Sequence, residues 1–512
     1  MQTTANLLAA PFATLSDLIR CHAAERPAQI ALIAGEGVLT YRELDLRVDA
    51  AAAALQRDAV SPGDCVAILG AASLSYIILM LAALRVGAAV VPLAPSSAAD
   101  DLASMVADAD PSLIFLDAEC EARFALGLPS ALGRLSLESD PFRSWQGEAA
   151  RPSVAEVAPD APFNIIYSSG TTGQPKGIVQ SHAMRWQHIR RGHVTRYAAD
   201  AVTLVSTPLY SNTTLVSLIP ALAYGGTVVL MAKFDALEFL TLSEKHRATH
   251  AMLVPVQYKR LLDHPDFDRF DLSAYRMKTC TSAPFAPSLK ADILRRWPGG
   301  LVEIYGMTEG GGTMTLAAHL FPDKLHTVGR PAEGHLVRLI DEQGKEVAKG
   351  AVGEVVGHSP SMMTSYLNQP GKTREAEWFD EDGRRYIRTG DFARFDEDGF
   401  LILLDRKKDM IISGGFNIYP SDLEAVLLQH PDVADAAVVG VPSEQWGETP
   451  VAFVTANADA PLDADAVRKW FAGRVGKTQR LADLRVVEEL PRSPIGKILK
   501  RELRNNYLTS GN

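Results

Sequence analysis

Residues 165–177 of this 512-residue chain read Ile-Ile-Tyr-Ser-Ser-Gly-Thr-Thr-Gly-Gln-Pro-Lys-Gly. The apolar run from Phe163 to Tyr167 predicts a β-strand that leads into a segment of hydroxyl-bearing residues and glycines. Glycines let the backbone approach an anion closely, consecutive N–H groups can surround it, and hydroxyl and ammonium groups add donors. The stretch therefore predicts a polyphosphate-binding loop formed by Ser168, Ser169, Gly170, Thr171, Thr172, Gly173 and Lys176.

The residue order of this loop excludes a Walker A motif, which requires Gly-x-x-x-x-Gly-Lys followed by Ser or Thr. Counting from Gly170, Pro175 stands where the second glycine belongs and Gly177 stands where the hydroxyl belongs. The stretch instead resembles the phosphate-loop signature of the adenylate-forming (AMP-binding) superfamily. That superfamily includes acyl-CoA synthetases, adenylation domains of nonribosomal peptide synthetases, and luciferases. A Gly/Ser-rich surface loop is the alternative, and motifs elsewhere in the chain favour the resemblance.

The composition is that of a soluble globular protein, with 47% hydrophobic and 22% charged residues. A net charge of −10 gives no reason to expect a nucleic-acid partner or an anionic membrane. The apolar run from Tyr76 to Leu84 is too short to span a bilayer and predicts a core helix. Scattered cysteines and the lack of a secretory-signal pattern near Met1 lead us to expect a cytoplasmic protein without an integral membrane segment.

Short apolar runs alternate with helical segments before residue 350, which predicts an α/β fold with largely parallel sheets flanked by helices. Beyond that point, Asp382-Gly383 and Asp398-Gly399 predict β-hairpins and hence a β-rich subdomain. Residues 135–160 read as a linker. We predict an N-terminal AMP-binding domain over residues 1–405 and a small α+β domain over 406–512, which the resemblance implies is mobile.

A second motif, Tyr305-Gly306-Met307-Thr308-Glu309, resembles the Tyr-Gly-x-Thr-Glu signature of the same superfamily. The resemblance implies that Tyr305 and Gly306 contact the adenine, that Thr308 bonds a phosphate oxygen, and that Glu309 holds Mg²⁺. A hard cation prefers carboxylate and phosphate oxygens, so the residue types suit this role. Thr281-Ser282-Ala283-Pro284 resembles the loop that runs along the adenine and acyl pocket.

Further motifs follow towards the C-terminus, and their roles are likewise implied by the resemblance. Asp391 would accept the ribose hydroxyls, and Arg406 would reach ribose and phosphate. Lys408 occupies the hinge position, whereas Asp405 replaces the usual glycine. Residues that would accompany the arm of coenzyme A are Gly414, Gly415 and Trp446.

The run Pro491-Arg492-Ser493-Pro494-Ile495-Gly496-Lys497 resembles the C-terminal Pro-Arg-x-x-x-Gly-Lys motif, which makes Lys497 the candidate catalytic lysine. The candidate acyl pocket comprises Tyr210, Ser211, Asn212, Leu215, Gly310 and Gly311. Ser211 stands where the family usually has histidine, which weakens inference about the substrate. No cationic residue is evidently placed to pair with a second carboxylate, which disfavours a dicarboxylic acid.

The resemblance implies an ATP-dependent acid:CoA ligase that uses ATP, Mg²⁺ and coenzyme A on an aromatic or medium-chain carboxylic acid. A stand-alone adenylation enzyme that loads a carrier protein is the main alternative. A luciferase-like oxygenase is less favoured, and an inactive nucleotide-binding regulator would be expected to lack Lys497 or Glu309. The oligomeric state stays open between a monomer and a homodimer.

Overall fold

The computed structural model describes residues 3–147, 151–168, 175–406, 409–413, 416–457, 462–476, 479–493 and 496–510. Internal contacts divide the chain into two units. The first unit comprises Met1–Leu325, Pro331–Leu336 and Gly357–Ile387, and the second comprises His326–Arg330, Val337–Val356 and Arg388–Asn512. The division between residues 405 and 406 remains a prediction.

The helices alternate with strands through most of the chain. They are α1 (Thr4–Ala9), α2 (Leu15–Glu25), α3 (Tyr41–Arg57), α4 (Leu74–Arg85), α5 (Ala99–Ala109), α6 (Ala118–Phe124), α7 (Ser139–Gln146), α8 (His182–Arg190), α9 (Asn212–Ala223), α10 (Ala236–Lys245), α11 (Pro255–Leu262), α12 (Pro287–Arg296), α13 (Pro370–Glu375), α14 (Pro420–Leu427), α15 (Ala464–Ala472) and α16 (Lys500–Ser510).

The strands range in length from two residues (β15 and β18) to eleven residues (β20 and β24). They are β1 (Ile30–Ala34), β2 (Gly37–Thr40), β3 (Cys65–Leu69), β4 (Ala89–Leu93), β5 (Leu113–Leu116), β6 (Gly133–Ser136), β7 (Pro162–Ser168), β8 (Lys176–Ser181), β9 (Val202–Val205), β10 (Thr227–Leu230), β11 (His250–Leu253), β12 (Met277–Cys280), β13 (Gly300–Tyr305), β14 (Met314–Ala317), β15 (Arg330–Pro331), β16 (Leu336–Ile340), β17 (Gly353–His358), β18 (Ser365–Tyr366), β19 (Glu377–Phe379), β20 (Arg385–Phe395), β21 (Leu401–Arg406), β22 (Ile411–Ser413), β23 (Phe416–Ile418), β24 (Val433–Ser443), β25 (Gly447–Ala456) and β26 (Asp483–Val486).

Two large sheets carry the α/β part of the fold. One has the order β15-β14-β13-β12-β11-β9-β10-β1-β2, and the other has the order β18-β8-β7-β4-β3-β5-β6. In the first sheet, pairing is parallel from β1 through β10, β9, β11 and β12 to β13. In the second sheet, the pairs β3–β4, β3–β5, β4–β7 and β5–β6 are parallel. Helix α4 is buried along its whole length, as predicted for the run from Tyr76 to Leu84. The predicted α/β class with mostly parallel sheets is confirmed.

Two smaller sheets follow. β16-β17-β20-β19 form one, with β21 beside β20, and β23-β22-β25-β24 form the other, with β26 beside β25. The hairpins at Asp382-Gly383 and Asp398-Gly399 are confirmed, and both glycines adopt the left-handed conformation, with φ of 75° and 79°. Helices α14, α15 and α16 lie in the second unit with the last sheet, which agrees with the predicted α+β character.

Local capping explains where two helices begin. The Thr40-x-x-Glu43 sequence predicts a capping box, and the structure contains it at the start of α3. The sequence Thr14-Leu15-Ser16-Asp17 favours Ser16 or Asp17 as the cap of α2. Thr14 is the cap instead, and Asp17 closes a second capping box onto it. The predicted linker over 135–160 also contains helix α7, whose Phe142 is buried. No helix in the described part of the chain is both long and apolar enough to cross a membrane.

Candidate active site

The predicted polyphosphate loop connects the two strands of an antiparallel hairpin. β7 pairs with β8, and their register ends with Ser168 opposite Lys176. The first and last residues of the predicted loop, Ser168 and Lys176, therefore lie opposite each other on neighbouring strands. The predicted residues Ser169, Gly170, Thr171, Thr172 and Gly173 lie outside the described residues, so their contacts remain predictions.

Lys176 and Glu309, which come from separate motifs, both contact one tyrosine, Tyr366. The Lys176 ammonium is 5.1 Å from the centroid of the Tyr366 ring. The Tyr366 hydroxyl donates to Glu309 Oε1 over 2.8 Å, and burial together with this carboxylate raises the pKa of the phenol. A single aromatic side chain thus contacts both a cation, through its ring, and a carboxylate, through its hydroxyl.

Backbone hydrogen bonds explain why Tyr366 sits there. β18 extends the sheet at the edge of β8, with Tyr366 opposite Ile178. The Leu367 amide donates to the Gly177 carbonyl over 2.7 Å, and the Met363 amide donates to the Glu309 carbonyl over the same distance. The segment around Tyr366 therefore fixes both the end of the loop and the carboxylate-bearing residue.

A buried polar network holds Thr308. The Gln180 amide donates to the Thr308 carbonyl over 2.6 Å, and Gln180 Oε1 accepts from Asn164 over 2.8 Å and also from Arg185. Arg185 Nε donates to Asn164 Oδ1 over 2.9 Å. These side chains satisfy one another away from water, so the network fixes the position of the Thr308 backbone.

The acyl-pocket candidates are joined to the predicted adenine loop by a hydroxyl pair. Ser211 caps helix α9 by accepting from the Thr213 amide, a local reason for serine at this position. Thr213 Oγ1 lies 2.6 Å from Ser282 Oγ, and Ser282 has a φ of 82°, which is strained for a residue with a Cβ. Asn212 Oδ1 is buried without a partner among the described residues.

The remaining pocket candidates differ in exposure. Leu215 is buried. Tyr210 is partly buried, its hydroxyl forms a hydrogen bond with Ser96, and burial raises the pKa of its phenol. Ala283 is half-buried, whereas Pro284 is exposed.

Two positions in the loop that follows β13, Gly310 and Gly311, require glycine. Tyr305 ends this strand opposite Met314 and is half-buried, while Gly306 is exposed. A Cβ on Gly310 would lie 1.8 Å from the Ser361 carbonyl oxygen, and one on Gly311 would lie 2.9 Å from the Gly357 carbonyl oxygen. Both glycines also have positive φ, so backbone packing fixes their identity.

In the second unit, Asp391 lies on β20 opposite Arg406 of β21. Its amide donates to Thr389 Oγ1 over 3.0 Å, and Thr389 in turn donates to the Val355 carbonyl. The two residues predicted to contact ribose are therefore adjacent in one sheet. The side chain of Arg406 lies outside the described set.

Lys497 also lies in the second unit, in a tight turn. Its amide and carbonyl bond to Ser493, and Gly496 adopts a φ of 77°. Arg492 donates to the Gly496 carbonyl over 2.7 Å and pairs with Asp435, which anchors the turn to β24. The spacing of the Pro-Arg-x-x-x-Gly-Lys motif thus has a structural basis, because Arg492, Ser493 and Gly496 all shape the backbone that carries Lys497.

The predicted CoA and hinge residues are only partly described. Trp446 is 49% exposed at the turn between β24 and β25, which leaves its ring accessible. Lys408, Gly414 and Gly415 lie outside the described residues. No local sequence pattern indicates Tyr366, Gln180 or Asn164, which contact the predicted site residues or their supports.

Comparison with known proteins gives matches over nearly the whole chain. The family model described as AMP-binding enzyme matches residues 19–367, and the model described as AMP-binding enzyme C-terminal domain matches residues 422–497. An indoleacetate–CoA ligase from Aromatoleum aromaticum is 34% identical, covering 96% of this chain and 97% of that protein.

Two further similar proteins are named for other products than a CoA thioester. The fatty acid–[acyl-carrier-protein] ligase ScoC from Streptomyces coeruleorubidus is 31% identical and covers 96% of both chains. The structure of the amide bond synthetase McbA from Marinactinospora thermotolerans aligns with a TM-score of 0.85 and 31% identity, covering 96% of this chain and 100% of that one. The matched models and full-length relatives show that this chain belongs to the AMP-binding enzymes.

Proposed function

We propose that this protein is an ATP-dependent carboxylic acid:CoA ligase for an aromatic or medium-chain acid. The full-length similarity to an indoleacetate–CoA ligase supports both the reaction and an aromatic substrate. The observation that carries the proposal is the placement of Lys176 and Glu309 around Tyr366 at the end of the polyphosphate loop. A cation for phosphate and a carboxylate suited to a metal-bound phosphate are what nucleotide activation requires.

The loop residues 168–176 would bind the β- and γ-phosphates of ATP. Tyr305, Gly306 and the Ser282-Ala283-Pro284 loop would contact the adenine, and Thr308 would bond a phosphate oxygen. In the second unit, Asp391 and Arg406 would contact the ribose. The network beneath Thr308 supports this assignment, because it holds the backbone that presents the hydroxyl.

The donor set fits Mg²⁺. Glu309 is half-buried, and only one of its carboxylate oxygens has a partner among the described residues, Tyr366. Mg²⁺ is commonly held by one or two carboxylates together with substrate phosphates, and Glu309 can supply one such carboxylate. When bound through Glu309, the ion would supply charge neutralisation at the phosphates.

In the first step, a substrate carboxylate oxygen attacks the α-phosphorus of ATP. A new P–O bond forms, the bond to the β-phosphate oxygen breaks, and pyrophosphate leaves with the electron pair. Lys497 would bridge the carboxylate and the α-phosphate, where it offsets negative charge that accumulates in the transition state. Positioning of the reactants supplies the other large contribution.

In the second step, the CoA thiolate attacks the carbonyl carbon of the acyl-adenylate. The C–S bond forms, the C–O bond to AMP breaks, and AMP leaves. We propose that residues 406–512 rotate about Lys408 between the steps, which would exchange Lys497 for Gly414 and Gly415 at the reaction centre. Trp446 would pack against CoA, and its exposure leaves it available for this contact.

A second candidate is an adenylation enzyme that transfers the acyl group to a carrier protein. The similarity to ScoC favours it, since that relative is named for a carrier-protein acceptor. The adenylation step would be identical, and only the attacking thiol would differ.

The proposal is tested by measuring pyrophosphate and AMP release with Mg-ATP for aryl acids and C2–C16 fatty acids, each with and without CoA. We expect CoA-dependent turnover on one acid class. Acid-dependent pyrophosphate exchange with no response to CoA would support the carrier-protein alternative. Absence of adenylation with every acid would contradict both.

Replacing Tyr366 with phenylalanine should raise the Mg²⁺ concentration needed for half-maximal adenylation by about 3- to 10-fold, because Glu309 loses a charge-assisted hydrogen bond. The ring beside Lys176 is retained, so kcat at saturating Mg²⁺ should change little. Tyr167→Phe is the matched control, since its hydroxyl bonds to Asp108 instead of Glu309. An unchanged Mg²⁺ requirement in Tyr366→Phe would argue against Glu309 as the metal ligand.

A further inference from the structure

Four cationic or imidazole side chains form a cluster in the first unit. Arg185 and His188 lie on α8, Arg191 follows it, and His335 comes from a distant part of the sequence. Arg191 Nη1 donates to His335 Nε2 over 2.6 Å, and Arg185 Nη1 lies 3.4 Å from His188 Nδ1. Arg191 Nη2 also donates to Ser361 Oγ over 3.1 Å. We call Arg191, His188 and His335 the cationic recess.

The cluster carries positive charge without a carboxylate partner among the described residues. Arg185 is buried and bonds only to neutral groups, Asn164, Gln180 and His188. Burial lowers the pKa of Arg185 to about 9 and also lowers the pKa of Arg191. A guanidinium nevertheless keeps its proton in proteins, so both side chains are cations. An uncompensated buried charge is costly, and a bound anion would offset that cost.

The recess adjoins the glycine loop of the acyl pocket. His335 hydrogen-bonds to the backbone of Gly311, and its Nδ1 lies 2.9 Å from the Thr313 amide nitrogen. Ser361, the other partner of Arg191, packs its carbonyl against Gly310 so closely that a Cβ there would clash. Arg191 is therefore tied to the two segments that contact Gly310 and Gly311.

The cationic recess contains hydrogen-bond donors that a ligand can use. Arg191 has five N–H donors, and two of its nitrogens have acceptors among the described residues. His188 Nδ1 must accept from the Arg185 guanidinium, so the neutral ring carries its proton on Nε2 as a further donor. Burial and the neighbouring arginines lower the pKa of His188 well below its ordinary value, and yet His188 and Arg191 retain accessible surface. His188 and Arg191 therefore present donors from which an anionic group can accept hydrogen bonds.

We propose that the cationic recess binds a second carboxylate at the far end of the substrate acid. Arg191 would pair with that carboxylate, and His188 Nε2–H would add a hydrogen bond. This inference deepens the proposed function and rests on it, because the recess adjoins Gly310 and Gly311 of the acyl pocket. It also revises the expectation from sequence that no cation serves a dicarboxylic acid.

The test compares acids that differ only in a distal carboxylate, with pyrophosphate release as the readout. Suitable pairs are benzene-1,4-dicarboxylate with 4-methylbenzoate, 4-carboxycinnamate with 4-methylcinnamate, and octanedioate with octanoate. The wild-type enzyme should prefer the dicarboxylate of at least one pair by about 10-fold or more in kcat/KM, since a site built from polar donors discriminates against an analogue that leaves them unpaired.

Arg191→Met should abolish that preference by lowering kcat/KM for the dicarboxylate, while the neutral acid of the pair changes less than about 3-fold. Arg190→Met is the matched control, because Arg190 is exposed at the end of the same helix. If Arg191→Met does not fold, Arg191→Lys, which keeps the charge but loses the planar fork, should weaken the preference partially.

Each outcome decides one question. Turnover of neutral acids with no preference for any dicarboxylate overturns the recess inference and leaves the ligase function intact. Equal preference for a 4-hydroxy acid and its 4-carboxy counterpart would show that a neutral acceptor suffices, which also overturns it. Failure of every acid in the wild-type enzyme contradicts the proposed function itself.

Discussion

Replacing Lys497 with alanine should lower the rate of acyl-adenylate formation by about 100- to 1,000-fold, the loss expected when one preorganised electrostatic contact to a transition state is removed. The same variant should convert a supplied acyl-adenylate and CoA to acyl-CoA at a rate close to that of the wild type. The difference follows from the proposed mechanism, in which Lys497 acts on the α-phosphate in the first step only. Pyrophosphate exchange measures the first step, and single-turnover thioester formation measures the second.

The turn that carries Lys497 should survive this substitution. Its hydrogen bonds involve the backbone of residue 497 and the side chains of Arg492 and Ser493. Lys469→Ala provides a matched control, since this lysine is exposed on α15 of the same unit. Equal loss of both steps in Lys497→Ala would indicate a structural role for Lys497 and contradict the proposed division of labour.

Replacing Glu309 with glutamine should lower kcat/KM for Mg-ATP in adenylation by about 100-fold. The amide oxygen can still accept from the Tyr366 hydroxyl, so the local hydrogen bond is preserved while the negative charge is removed. Because a hard cation prefers a carboxylate to an amide, the defect should be partly relieved by raising the Mg²⁺ concentration.

The measurement for Glu309→Gln is a Mg²⁺ titration at fixed ATP, compared with Tyr366→Phe. Tyr366→Phe changes only the hydrogen bond to the carboxylate, so its shift should be smaller than that of Glu309→Gln. A Glu309→Gln enzyme with the Mg²⁺ dependence of the wild type would show that the metal is held elsewhere.

Sequence predicted the features that depend on neighbours in the chain. The strand at Phe163–Tyr167, the capping box at Thr40 and the hairpins at Gly383 and Gly399 all rest on local periodicity, capping or turn chemistry, and the structure contains each. Sequence favours Ser16 or Asp17 as the α2 cap, two or three residues after the observed cap Thr14, because all three residues are good caps and sequence alone does not rank them.

Sequence did not reveal the residues that support the site through distant contacts. Tyr366 lies 57 positions from Glu309, and Gln180 lies 128 positions from Thr308. Neither has a distinctive local pattern, since a tyrosine in a short edge strand and a glutamine in a buried strand are both ordinary. Arg191 was overlooked for the same reason, as its relation to Gly310 and Gly311 arises only through Ser361 and His335.

The way β18 extends the sheet beside β8 has a consequence for protein engineering. The backbone bonds from Leu367 to Gly177 and from Met363 to Glu309 keep the carboxylate in register with the strand, independently of the residues between 168 and 176. A substitution in that interval should therefore change phosphate binding without displacing the backbone of Glu309, whereas a deletion in β18 would shift Glu309 and Lys176 together. Variants in the loop and variants in the strand edge that supports it should accordingly lose nucleotide binding for different reasons.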